Sequence, residues 1–148
     1  NEADGAFTNF LPLGGLPKVT ENVSAGGNEF ELLCRFFCFP GEWDEYEGLA
    51  RFMFSSYITV PVYANFFTWL GYGDEIAEMR SLWEQKDRAG AAAAAPRELI
   101  EDTFLIGPPE KIRERLDAYV AGGITLPVIT PITTPDKMEE TIRALAPR

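Results

Sequence analysis

Between Thr103 and Ile132 the spacing of apolar and polar positions changes from a helical period to an uninterrupted apolar run. Ile112, Leu116, Tyr119 and Val120 recur at i, i+4, i+7 and i+8, which places one apolar stripe on an amphipathic helix. Gly107-Pro108-Pro109 reads as the start of that helix, because proline's fixed φ suits a first helical turn and Glu110 lies near the positive helix end. Gly122-Gly123 supplies a left-handed stop. Residues 124–132 then form a nearly charge-free run, the pattern of a strand buried on both faces. A helix running straight into such a strand is half of a βαβ repeat, so the predicted fold class is α/β.

The same reading gives two earlier strands, residues 6–11 and 30–39, with a loop at Pro12, Gly14, Gly15 and Pro17 after the first. Short helices are predicted over Lys18–Ala25 (ended by Gly26-Gly27), from Trp43 to Ser55 or beyond, over Asp74–Asp87, and from Pro96 to Glu101. The last is Asp136–Leu145, with Met138 and Ile142 inward. Phe52 to Leu70 carries no charge over a length that could span a bilayer. Ser55, Ser56, Thr59, Pro61, Asn65 and Thr68 interrupt its apolarity and acidic segments flank it, so a membrane span is not expected. A buried helical pair bent at Pro61, or an aromatic packing interface, accounts for it. Three buried parallel strands leave two open sheet edges, and a complete (β/α)8 barrel usually needs about 250 residues. The 148 residues therefore suggest a piece that begins inside a larger domain, or a chain that pairs with another.

Composition narrows the chemistry. A net charge of −10, from 23 acidic against 13 basic side chains, argues against nucleic acid and anionic membrane as partners. No basic-then-apolar leader opens the sequence, so a cytoplasmic protein is the expectation. The chain has no histidine, which removes histidine-based triads and imidazole acid–base chemistry and weakens any metal site. Cys34 and Cys38 lie four steps apart on one strand, roughly 13 Å, too far for a disulfide; buried reduced thiols are expected. The acidic clusters Glu42/Asp44/Glu45, Glu75/Glu78 and Glu139/Glu140 read as solvated helix faces.

Three stretches carry a resemblance. Residues 3–13, Ala3-Asp4-Gly5-Ala6-Phe7-Thr8-Asn9-Phe10-Leu11-Pro12-Leu13, resemble the sixth-strand segment of the luciferase-like monooxygenases, the flavin- and deazaflavin-dependent relatives of bacterial luciferase. Ile106-Gly107-Pro108-Pro109-Glu110-Lys111-Ile112, continuing through Leu116, Tyr119 and Val120 to Ala121-Gly122-Gly123-Ile124, resembles that family's last helix and eighth strand. Residues 57–63 with Trp69-Leu70-Gly71 look like the inserted helical region of one subgroup. The resemblance implies the C-terminal part of a TIM barrel, about strands six to eight: one partial domain over 1–148 with a helical insertion at about 42–101. It implies a parent oxidoreductase or monooxygenase that uses FMN or a deazaflavin on a small-molecule substrate at the C-terminal mouth of the barrel. In that family the N-terminal strands supply most of the substrate wall and much of the ring pocket, and a glycine-containing turn after the fifth strand helps hold the phosphate, so this chain alone is expected to be inactive and to hold no cofactor. The open edges make a homo-oligomer the expectation. A self-associating half-barrel that acts by binding or assembly is the alternative.

The candidate cofactor-binding residues are Thr8, Asn9 and Phe10, at the mouth end of the first strand. Asn9 offers amide donors and an acceptor, or else bonds nearby backbone; Phe10 walls a ring or packs in the core. Gly14 and Gly15 resemble a flexible mouth loop, and Thr130 and Thr133 are further candidates to face the mouth. Gly107 is placed at the opposite end of the barrel, as a helix start only. No catalytic residue is assigned.

Overall fold

A computed structural model describes residues 4–23 and 30–146. The predicted helix end at Gly26-Gly27 lies outside the described residues. The chain divides into two compact units, Asn1–Glu45 with Asp102–Arg148, and Tyr46–Glu101.

The first unit holds all four strands found among the described residues: β1 (Gly5–Asn9), β2 (Glu31–Pro40), β3 (Leu105–Gly107) and β4 (Leu126–Pro131), every pairing parallel. β2 is central. β1 pairs with Glu31 to Arg35, and β3 with Cys38 to Pro40. β4 pairs with Leu33 to Cys38 and so overlaps both. A strand has only two edges, so β1 and β3 lie end to end along one edge of β2 and β4 takes the other. Thr125 fixes the start of β4: its amide donates to the Leu32 carbonyl at 2.9 Å, and its hydroxyl accepts from the Leu32 amide at 2.9 Å.

Helices α1 (Leu16–Val23), α7 (Pro109–Ala121) and α8 (Met138–Leu145) belong to this unit. α7 delivers Ile112, Leu116 and Tyr119 to the core as its spacing predicts; Val120, at the stripe's margin, is 48% exposed. The Tyr119 ring packs on Phe36 at 4.4 Å, and its hydroxyl faces the carbonyls of Leu11 (2.7 Å) and Asp102 (3.1 Å). One side chain thus joins α7 to the residues that follow β1 and precede β3. At the end of α7, Gly123 adopts φ +112, and any Cβ on Gly122 would meet Leu16 of α1, so the helices approach through glycine. Arg113 donates to the Ala144 carbonyl and ties α8 to α7.

Several expectations change. β3 is an additional strand, and its last residue, Gly107, is one that read as a helix start. β4 is half-exposed along most of its length, with Leu126 at 49%, rather than buried on both faces, because it is an edge strand with a helix layer on one side. In α8 the inward residues are Thr141 and Leu145, whereas Ile142 is exposed; a 3-10 turn at Pro135–Lys137 rotates the entry into the helix.

The second unit is helical: most of α2 (Trp43–Ile58), then α3 (Pro61–Leu70), α4 (Ala77–Glu84), α5 (Arg88–Ala94) and α6 (Arg97–Thr103), which runs on into the first unit. Pro61 separates α2 from α3 and occupies the first turn of α3, where its missing N–H costs nothing. Gly71, at φ +110, closes that helix. The polar interruptions of the apolar run bond to their own helices: Ser56 to Phe52, Thr59 to Ser55 and Thr68 to Ala64. Phe54 and Phe67 meet edge to face at 5.7 Å and are buried, but Phe52, Val62 (65%) and Trp69 are exposed, so the pair is only half-buried. Among the described residues no helix is long and apolar enough to cross a membrane.

Candidate functional site

Alternation along β2 decides which side chains can form a site. Phe36 touches Tyr119 of α7, so the even positions of β2 face the helix layer, and Leu33, Arg35, Phe37 and Phe39 occupy the opposite face. Partners in a parallel register share a face, and this extends the assignment across the sheet. The face opposite α7 therefore carries three rows: Phe7–Leu33–Leu126, Asn9–Arg35–Val128, and Phe37–Thr130. The first row is open, with Phe7 54% exposed. Beyond the last row an aromatic cluster is buried. Phe10 stacks on Phe37 at 5.4 Å, and Phe104 lies 5.8 Å from Phe37 and 5.4 Å from Phe39.

Phe10 reaches that cluster through an unusual backbone. Its φ is +52, which a bulky residue rarely adopts, and this turns a ring due on the helix side back over Phe37. Asn9, just before it, shares its face with Arg35 on the neighbouring strand. Asn9 Oδ1 and Arg35 Nε are both buried, and neither has a hydrogen-bond partner. The Arg35 guanidinium carbon lies 4.9 Å from the centre of the Phe37 ring. Two orphaned polar atoms on adjacent strands, beside an aromatic cluster, make this face the candidate site, because buried polar groups are otherwise almost always paired.

The sequence-predicted residues separate accordingly. Asn9 and Thr130 share the open face, and Phe10 joins its aromatic floor. Thr8 pairs with Cys34 and takes the helix-bearing face; Thr133 lies past the end of β4. Arg35 escaped notice within the apolar run FELLCRFFCF, although alternation alone would have set it on a face with Leu33 and Phe37. Gly107 requires a correction: it pairs with Pro40 at the C-terminal end of β2, so it stands at the end where a barrel's mouth would open.

The glycine turns at that end are closed by the chain itself. The Gly14 amide donates to the Asp102 carboxylate at 3.0 Å and Gly15 is buried in a 3-10 turn, which makes a tethered loop instead of a flexible one. Gly107 accepts from the Gly41 amide at 3.1 Å, and Lys111 packs over its Cα. The first turn of α7 opens with two prolines, which lack N–H donors.

On the helix face, Cys34 and Cys38 are free, buried thiols, and burial pushes both up to about 12. Burial also raises the Tyr119 phenol, against the lowering effect of Arg115. A groove of about 560 Å³ on this side is lined by Leu116 and Val120 of α7, Pro127 and Ile129 of β4, and Leu145. Its basic lining residue, Arg113, is already engaged by Ala144 and Glu110. The sheet separates this groove from Asn9 and Arg35. Among the described residues no group of His, Cys, Asp or Glu is arranged to hold a metal ion.

Comparison with known proteins bears on what this face is for. A family model described as luciferase-like monooxygenase matches residues 1–126. Among solved structures, the coenzyme F420-dependent tetrahydromethanopterin reductase from Methanopyrus kandleri superposes with a TM-score of 0.66 at 18% identity, over 97% of this chain and 43% of that one. At that identity the likeness establishes the fold alone. The chain thus spans less than half the length of the reductase it matches. No curated protein matches the sequence.

Proposed function

The chain belongs to the luciferase-like monooxygenase family, and from that premise we propose that it is the C-terminal part, about strands six to eight, of a (β/α)8 flavin- or deazaflavin-dependent oxidoreductase. The observation that carries this reading is the all-parallel sheet, with α7 on one face and an opposite face that stays open at Phe7 and Leu126. In a closed barrel that face is the interior, and the edges of β1 and β4 receive neighbouring strands. The ends of β1, β2 and β4 then contribute Asn9, the Phe10–Phe37 wall and Thr130 to the mouth.

A flavin or deazaflavin, when bound, supplies the electron or hydride chemistry. This chain's residues fit one part of such a group. The unpaired Asn9 acceptor suits a donor on the ring's edge or on the substrate beside it. They do not fit its phosphate, because the Gly14 and Gly107 turns are occupied and the start of α7 is proline-capped. Cofactor binding therefore depends on strands beyond this chain, which alone is inactive. Titration of the 148-residue protein with FMN and with a deazaflavin, followed by fluorescence, is expected to show no affinity at micromolar concentration. Stoichiometric binding in that range overturns the reading.

The exposed Phe7 and Leu126 favour one second reading, a half-barrel that closes its sheet against another copy of itself.

A further inference from the structure

We propose that Arg35 and Asn9 form a recognition site for a carboxylate-bearing ligand, so that the substrate of the complete protein carries an acidic group. The inference rests on the reading of the open sheet face as a barrel interior, and it adds the class of substrate.

Arg35 sits in the middle row of the eight side chains on this face, and apart from Asn9 and Thr130 its companions are apolar. A guanidinium stays charged at any relevant pH, and holding it against an apolar surface without a counter-charge is costly. Among the described residues Arg35 has neither an ion pair nor a hydrogen bond to its buried Nε. The next acidic residue along its own strand face is Glu31, four residues back and roughly 13 Å away. Phe37, below the guanidinium at 4.9 Å, offers a π face but no acceptor for that N–H. Two other arginines of this unit, both on α7, are engaged by local partners. Arg115 bonds the carbonyls of Asp102 and Phe104, and Arg113 that of Ala144.

A carboxylate satisfies this arrangement better than a neutral polar group does. It neutralises the charge and accepts from Nε. Asn9, one strand spacing away, leaves its buried Oδ1 acceptor for a donor elsewhere on the ligand, since a carboxylate brings no proton to it. Phosphate is a poorer match, since a single guanidinium with no helix N-terminus or glycine turn beside it balances one charge and not two.

The test uses the 148-residue chain with benzoate as probe and benzamide as its neutral counterpart, followed by amide NMR shifts. Benzoate is expected to bind saturably and to shift Asn9, Arg35 and Phe37. Benzamide should bind roughly tenfold more weakly or worse, and Arg35→Met should weaken benzoate by a similar factor, as loss of a charge-assisted contact requires. Arg35→Lys should retain part of the affinity. The Arg35→Met protein should unfold at an equal or higher urea concentration than the parent. A lower midpoint shows that Arg35 is structural and overturns the proposal. So does absence of saturable benzoate binding, or equal affinity for benzoate in the Arg35→Met variant. No flavin enters the experiment, so its outcome stands apart from the cofactor titration.

Discussion

Cys34 and Cys38 show what burial does to a single titratable group. Each thiol is fully covered on the helix face of β2, and the folded protein holds its proton up to about pH 12, against about 9 for an exposed thiol. Below pH 9 both states are protonated and the thiols leave stability unchanged. Between 9 and 12 the unfolded chain releases protons that the native chain keeps, so stability falls as pH rises, by about 1.4 kcal/mol per pH unit for each thiol at most. Urea midpoints measured from pH 8 to 10.5 should decline. The Cys34→Ala/Cys38→Ala protein should decline less steeply, with the buried Tyr119 phenol accounting for part of the remaining slope. Identical profiles for the two proteins would contradict the burial assignment. The thiols were legible in the sequence, because two cysteines four steps apart in an aromatic strand have no plausible partner but the core. Arg35 was not. Its significance lies in the lack of a partner, and that is a property of the folded neighbourhood, not of the residue type.

At the level of elements, legibility followed length and isolation. α7 could be read apart from Val120 because thirteen residues give three helical turns of periodic pattern, ended by Gly122 and by Gly123 at φ +112. β3 could not, because three residues establish no period, and the prolines after it dominate any local reading. α8 was recognised as a helix, but Ile142 was set inward where Thr141 and Leu145 are, since the preceding 3-10 turn shifts the phase of an eight-residue element. Gly107 lies where β3 meets α7, and it gives the misread junction a test. Its φ of +147 belongs to a region that only glycine enters freely, so Gly107→Ala should cost about 1–3 kcal/mol. The added Cβ would also come within 2.7 Å of Lys111 Cδ, the movable part of a long side chain. Adding Lys111→Ala to the same protein separates the two causes. Urea midpoints that stay low in the double variant identify backbone strain, and full recovery would show that crowding was responsible.

For the whole molecule, the α/β class and the family were legible because they depend on order: strand, helical insertion, helix, strand. How open the sheet remains was only partly legible, because an apolar strand in sequence does not reveal which of its faces has a neighbour. β4 is the instance, since its charge-free run predicts a two-sided environment but it sits at an edge with Leu126 half-exposed. The open end of that sheet face, with Phe7 and Leu126, flanked among the described residues by unpaired strand edges, is a surface that water solvates poorly and that other strands can extend. Phe52, Val62 and Trp69 expose further apolar area in the helical unit. The 148-residue protein is therefore expected to self-associate, with a mass by sedimentation equilibrium above that of one chain at tens of micromolar and rising with concentration. Lysine substitutions at Phe7 and Leu126 together should return it toward the monomer if the sheet face carries the association, because two charges there oppose burial against a second copy. A monomer at every concentration would remove the half-barrel reading and leave the barrel-fragment reading standing. Association that survives the lysine pair would point instead to the aromatic helices α2 and α3, and would leave the sheet face free for the strands of a complete barrel.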